Sequence, residues 1–154
     1  MNQFIQTTKQ IALLALLFVL AGCKTTDVAK DGSLASIFIS GHSDEEIQRV
    51  TNEVFKWNGF DQLADLTFEK QGTRNDTLMF GGLDSGPVWI KIRVHVKPRG
   101  GDRYVLGCDA YAVQNHGDPF IETETRLKFS KADECKDILD QIKTRLSLPA
   151  AKTT

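Results

Sequence analysis

The amino-acid sequence predicts an α+β fold, in which an antiparallel sheet of four to six strands carries two helices packed on one face. Three observations indicate this fold. Two amphipathic helical segments lie towards the two ends of the region 34–148. Between them the chain alternates apolar and polar residues, as half-buried antiparallel strands do. No repeated strand–helix unit occurs, so a parallel sheet with crossover helices is not favoured.

The strands are predicted from alternation and turn residues. The strongest signal is the segment 88–96, VWIKIRVHV, in which every second residue is apolar. The following PRGGD, 98–102, predicts a hairpin turn because paired glycines accept positive φ, and 104–113 is then the partner strand. Further strand segments are predicted at 34–40, 64–68, 77–80 and 122–129, with a turn over 71–76 and a loop over 115–119.

The two helices are predicted from capping signals and apolar spacing. Ser43 and Glu46 form the S-x-x-E pattern of a capping box. Gly59 is expected to end this first helix in a left-handed conformation, with Phe60 folding back on its last turn. Ser130 is expected to cap the second helix. The predicted apolar stripes are Ile47, Val50, Val54 and Trp57 in the first helix, and Cys135, Ile138, Leu139, Ile142 and Leu146 in the second.

The first residues of the chain predict export. Segment 1–10 is polar with one charge, and 11–20, IALLALLFVL, has no polar side chain. A transmembrane helix needs roughly 20 apolar residues, about twice this run. A basic start followed by a short apolar run is typical of a secretory signal peptide.

The four residues 20–23, which begin with the last residue of this run, resemble the lipobox of bacterial lipoproteins. Leu20-Ala21-Gly22-Cys23 has the aliphatic residue, the two small residues and the cysteine of that motif. The resemblance implies cleavage after residue 22 and attachment of diacylglycerol to the Cys23 sulfur, whose thiolate is the nucleophile. Acyl chains such as palmitate would then make the membrane a partner, because two or more chains anchor a protein stably. Lys24, in place of an aspartate, implies the outer membrane, with the protein facing the periplasm.

The predicted organisation of the chain has four parts. A signal peptide, 1–22, precedes the lipidated cysteine and a flexible polar tether, 23–33. A single α+β domain follows over 34–148, and 149–154 is a loose tail. A net charge of −1 argues against a nucleic-acid partner, since such domains are usually basic. The architecture is similar to the helix-grip modules of envelope lipoproteins, including the domains of the assembly lipoprotein BamC.

Two cysteines remain after the lipobox, and they are predicted to form a disulfide. Cys108 lies on the apolar face of its strand, and Cys135 lies on the apolar stripe of the last helix. The two sulfurs face each other if that helix covers that face, and an oxidising periplasm permits the bond. Two separate buried thiols are the main alternative, and a redox or metal role is a third.

The polar side of the 88–96 strand is a candidate surface for an anion or a partner. Trp89, Lys91, Arg93 and His95 share it, and their charges suit phosphate, a lipid headgroup or an acidic protein. The alternative is a solvated face, on which the long stems of Lys and Arg cover apolar neighbours.

The sequence carries no recognisable catalytic or metal-binding motif, so no enzyme, metal or cofactor is predicted. GxSxG, HExxH and CxxC patterns do not occur. The leading interpretation is a noncatalytic interaction or assembly module of the envelope, with a protein partner. One alternative is a lipoprotein that binds a small ligand, and another is an enzyme acting on envelope polymers. An open sheet edge or exposed apolar patch would favour the interaction module, and an apolar cavity would favour the ligand binder.

Overall fold

A computed structural model describes residues 32–82 and 86–148 of the chain. These ranges hold six strands and three helices. Their order is β1 (Ala35–Ser40), α1 (Asp44–Trp57), β2 (Asp61–Ala64), β3 (Thr67–Gln71), α2 (Arg74–Phe80), β4 (Trp89–Pro98), β5 (Arg103–Gln114), β6 (Thr123–Arg126) and α3 (Ala132–Ser147). The predicted signal peptide, most of the predicted tether and the predicted tail lie outside the described residues.

The strands form one antiparallel sheet in the order β1-β5-β4-β3-β2, with β6 paired to the second half of β5. The predicted α+β fold is therefore confirmed. β4 and β5 are its longest strands, with 10 and 12 residues. Gly100 and Gly101 make the turn between them at φ values of 90° and 63°, as the PRGGD segment predicts.

The core lies between the sheet and the two long helices, α1 and α3, on one face. Its centre is aromatic: Phe55 of α1 stacks on Phe68 of β3 with 4.1 Å between ring centroids. The predicted stripe of α3 is buried in full, but Trp57 of α1 is 65% exposed and the prediction for it is wrong. Phe55 is buried instead, because α1 presents the side that contains Thr51 and Phe55 to the sheet.

Both ends of α1 follow the predicted chemistry, with one difference. Ser43 Oγ accepts a hydrogen bond from the Glu46 amide at 3.2 Å, whereas the Glu46 carboxylate contacts His42 and not the backbone of Ser43. At the other end Gly59 has φ 77°, and the Phe60 amide donates to the Phe55 carbonyl at 3.1 Å. The ring of Phe60 meets that of Phe55 edge-on at 5.3 Å, so a hydrophobic contact closes this C-terminal motif.

The segment predicted as a turn and a short strand, 71–80, contains helix α2 instead. Thr73 and Asp76 form its capping box: Thr73 Oγ1 accepts from the Asp76 amide, and Asp76 Oδ2 accepts from the Thr73 amide at 2.8 Å. These bonds satisfy amides that the first turn of a helix leaves unpaired. The T-x-x-D pattern of Thr73 and Asp76 is therefore the sequence signal for this helix, which alternation of apolar and polar residues does not show.

Two further predictions about element ends are wrong. The 64–68 strand is a hairpin, β2–β3, because Leu66 adopts φ 54° and reverses the chain. Helix α3 begins after Lys131, and no side chain caps it, so Ser130 does not have the predicted role. Lys131 instead contacts Asp76 at 2.9 Å and Glu134 at 3.1 Å, which joins the start of α3 to α2.

Candidate functional site

The surface of the sheet opposite α1 and α3 is the main candidate site, and we call it the polar face. The alternation of β4 places Trp89, Lys91, Arg93 and His95 on it together. In the register with β5, Lys91 lies opposite Tyr111, and Arg93 lies opposite Asp109. The four residues predicted from the sequence therefore share one surface, although each contacts different partners.

Lys91 and Arg93 are bridged by one carboxylate from β6. Lys91 Nζ lies 2.6 Å from Glu124 Oε1, and an Arg93 guanidinium nitrogen lies 2.6 Å from Glu124 Oε2. Glu122 adds a longer contact to Lys91, at 3.7 Å. The Arg93 guanidinium also stacks over the Tyr111 ring at 4.4 Å. Lys91 is only 8% exposed, so this pairing compensates a cation that is largely withdrawn from water.

Electrostatics at this bridge favour the charged forms of both partners. Burial opposes ionisation of Glu124, but hydrogen bonds and attraction from Lys91 and Arg93 outweigh it and lower the pKa of the carboxyl. Burial likewise opposes the charge of Arg93. Its bond to Tyr111 and the attraction of Glu124 outweigh that effect and raise the pKa of the guanidinium.

We expect Glu124 to make stability depend on acidity. Its folded pKa is below its ordinary value of 4.5, so the bridge stabilises fully above that value and is lost as pH falls through the folded pKa. The free energy of unfolding, measured by urea denaturation, should therefore decrease below about pH 4.5. Glu124→Gln should make the loss of stability at low pH smaller. It should not abolish that loss, because Asp76 and Glu134 also have lowered pKa values. An unchanged slope in the variant would contradict this assignment.

His95 belongs to a second cluster, centred on Asp109 of β5. Asp109 is 8% exposed, and its carboxylate contacts His95 Nε2 at 3.2 Å and Arg126 at 2.5 Å. The same carboxylate accepts a hydrogen bond from the Leu34 amide at 3.2 Å, and Arg126 donates to the Gly32 carbonyl. The cluster thus fastens the first described residues of the chain to the middle of β5.

Trp89 belongs to a third cluster. Its ring stacks on His116 with 4.2 Å between centroids and 15° between planes. His116 Nε2 lies 3.0 Å from both carboxylate oxygens of Glu69, which is buried on β3. Trp89 is accordingly half-buried, held between the β5–β6 loop and the sheet.

The carboxylates of the polar face were not predicted from the sequence. Four cations and four carboxylates lie on it: Lys91, Arg93, Lys97 and Arg126, and Glu69, Asp109, Glu122 and Glu124. Strand alternation could identify the cations because they lie on one strand. The carboxylates come from β3, β5, β6 and the residue before β6, and the position of these segments against β4 is not readable from the sequence. The surface is an ordered pattern of both charges, and its use for binding an anion or a partner stays a prediction.

The two cysteines lie where the sequence argument expects them. Cys108 of β5 and Cys135 of α3 are both fully buried, and their side chains interact with each other. Burial, followed by the interaction with Cys135, raises the pKa of the Cys108 thiol well above its usual value. The structure holds both as free thiols, so the predicted disulfide is not formed in it, although its partners are adjacent.

The lipobox cysteine, Cys23, and the residues before it lie outside the described ranges. Within 32–82 and 86–148, no helix is long and apolar enough to cross a membrane. In the same ranges no group of three or more His, Cys, Asp and Glu side chains is placed to hold a metal ion. Comparisons of the chain with protein-family models, curated proteins and solved structures gave no match.

Proposed function

We propose that the chain is a bacterial envelope lipoprotein, anchored to the membrane by a lipid on Cys23, whose folded domain is a noncatalytic interaction module in the periplasm. The observation that carries this proposal is the motif Leu20-Ala21-Gly22-Cys23, whose leucine is the last residue of a ten-residue apolar run. The Cys23 thiol loses its proton and its sulfur forms a thioether to the glyceryl carbon of a phospholipid, whose phosphate headgroup leaves. Water then cleaves the peptide bond between Gly22 and Cys23.

The start of the folded domain supports a tethered arrangement. Residues 24–31 separate the lipidated cysteine from Gly32, and each residue spans at most about 3.6 Å. The domain would therefore stay within roughly 30 Å of its anchor. Asp109 and Arg126 hold residues 32–34 against the sheet, so the point where the linker joins the domain is fixed.

The interaction role is supported by the two ends of the sheet. Within the described residues, β1 and β2 each pair with a strand on one side only. Unpaired strand edges are templates for contact with another chain, and proteins usually cover or disrupt them. All four residues of β2 are exposed, and β1 carries the 68% exposed Phe38. The domain thus offers two surfaces suited to a protein partner.

Labelling with an alkyne fatty acid tests the anchor. We expect wild-type protein to take up the label, to begin at Cys23 by mass spectrometry and to leave membranes only with detergent. Cys23→Ser should take up no label and retain the signal peptide, because the modifying enzyme has no thiol to use. Cys135→Ala, which removes a buried cysteine of the folded domain, should label as wild type does. A labelled Cys23→Ser variant, or a mature wild-type chain that begins upstream of residue 23, would contradict the proposal.

A further inference from the structure

The outer edge of β1 has backbone groups available for another strand. Within the described part of the chain, β1 pairs with β5 alone. The Gly41 amide donates to the Asp102 carbonyl at 3.1 Å, so the backbone N–H of residue 41 points towards β5. Backbone groups of successive residues in an antiparallel strand point to opposite sides of that strand. The N–H and C=O groups of Ser36, Phe38 and Ser40 therefore point away from β5, towards the free edge. An extended peptide can pair with such a row.

A groove of about 350 Å³ lies beside this edge. One side is formed by Phe38, Ile39 and Ser40 of β1, and the other by the last turns of α3, including Leu146. Ile39 is buried and Phe38 is 68% exposed, so an added strand would meet an apolar surface on each side of the sheet. Side chains of the added strand would alternate between the side of the sheet that carries Phe38 and the side that carries α3.

The groove is positively charged. Arg103 and Lys143 line it, both are exposed, and neither forms an ion pair within 32–82 and 86–148. His42 is a third basic residue there, and its ring contacts Glu46 at 3.0 Å. The residues that line the groove include no Asp or Glu. A concave surface lined by one sign of charge attracts the opposite sign, so an acidic segment fits best.

We propose that the free edge of β1 binds an extended acidic segment of a partner protein as an added strand, with Arg103 and Lys143 contacting its carboxylates. β1 is six residues long, so the bound segment spans about 20 Å. The proposal deepens the proposed function and rests on it for the location of the partner, which is the envelope.

Charge disfavours two other occupants of this edge. A second copy that paired through its own β1 edge would bring its Arg103 and Lys143 close to those of the first. The segment 149–154, which follows α3, contains Lys152 and no acid. An acidic segment of another protein is the occupant that compensates both free cations.

Site-specific photo-crosslinking tests the proposal in the full chain, in the cells that produce it. The photoreactive p-benzoylphenylalanine replaces Phe38, and the control carries it in place of Leu63, which is 51% exposed on β2 at the opposite edge. Mass spectrometry identifies the crosslinked peptide. We expect position 38 to crosslink an acidic segment of one partner protein, and position 63 not to crosslink that segment.

Charge reversal shows whether the crosslink depends on the groove. Arg103→Glu combined with Lys143→Glu should lower the yield at position 38 by roughly 2- to 30-fold, as expected from the loss of two exposed ion pairs. Lys56→Glu combined with Lys128→Glu, which changes the same net charge at exposed positions away from the groove, should leave the yield unchanged. Ser36→Pro should also abolish the crosslink, because it removes an outward N–H of an edge strand without breaking a bond to β5.

The outcomes separate this proposal from the proposed function. The proposal would be overturned if position 38 crosslinked to a second copy, to residues 149–154, to lipid or to a basic segment. It would also be overturned if no crosslink formed, or if charge reversal left the crosslink yield unchanged. Fatty-acid labelling of the same cells reports on the anchor independently. Labelled protein without the acidic crosslink would overturn the β1 assignment alone, and unlabelled protein would overturn the anchor whatever the crosslink shows.

Discussion

Replacing Phe55 by alanine is expected to destabilise the domain by about 3–5 kcal/mol. The side chain is fully buried and is the centre of the aromatic core. It stacks on Phe68 with 4.1 Å between centroids and meets Phe60 edge-on at 5.3 Å. Truncation removes the transfer free energy of the ring and leaves a cavity between α1 and β3, which cannot close without moving the helix.

Urea denaturation followed by circular dichroism measures this effect, and the same helix supplies the control. Trp57 is an aromatic residue of similar size, but it is 65% exposed and contacts Arg145 with 4.9 Å from the guanidinium to the ring. Trp57→Ala should cost no more than about 1 kcal/mol, the range of an exposed cation–π contact. Similar losses in the two variants would contradict the placement of α1 on the sheet.

Protein folded in an oxidising compartment is expected to hold Cys108 and Cys135 as a disulfide and to be about 3–4 kcal/mol more stable than the reduced protein. Both thiols are fully buried, and they interact with each other across the interface between β5 and α3. Oxidation removes two protons and two electrons from the pair. The disulfide of an exported thiol oxidoreductase accepts them by thiol–disulfide exchange.

The timing of this bond follows from its burial. A thiolate is the species that reacts, and burial raises the pKa of Cys108 well above its usual value. In the folded protein neither sulfur is exposed to an oxidant, so the bond has to form before α3 closes over the sheet. Protein that folds in a reducing compartment should therefore stay reduced after it is moved into mild oxidant.

Alkylation in denaturant, followed by mass spectrometry, measures the state of the pair. Exported wild-type protein should gain alkyl groups at Cys108 and Cys135 only after reduction. The double variant Cys108→Ala with Cys135→Ala provides the control, because its stability should be the same from either compartment. Free thiols at both positions in exported protein would contradict the prediction.

The fold was predictable where a pattern repeats over many residues. β4 alternates over its whole length and turns at two glycines, so strand, hairpin and partner followed from local chemistry. Helix α2 has only seven residues, which are too few to show a repeating apolar pattern. The capping-box pair Thr73 and Asp76 is the sequence signal that indicates it. Trp57 and Phe55 both lie near the helical spacing of α1. Which of them faces the core depends on how the helix is rotated against the sheet, which the helix sequence does not determine.

The candidate sites show the same limit. Lys91, Arg93 and His95 could be placed on one face because they belong to one strand. Glu124 reaches Lys91 only because β6 returns to pair with β5, so this contact depends on a loop of irregular conformation. The groove beside β1 combines residues from β1, β5 and α3, and it exists only once the order of the sheet is known.

The fastening of residues 32–34 to Asp109 has a mechanical consequence. If the chain is held at its lipid, any pull between membrane and domain enters through Gly32. Arg126 and Asp109 take up that load at the middle of β5 before it reaches the hydrogen bonds between β1 and β5. A force applied through the anchor would then strain the contacts of Asp109 and Arg126 with residues 32–34 first. Strand β1, whose outer edge is available to a partner, would stay in register with β5.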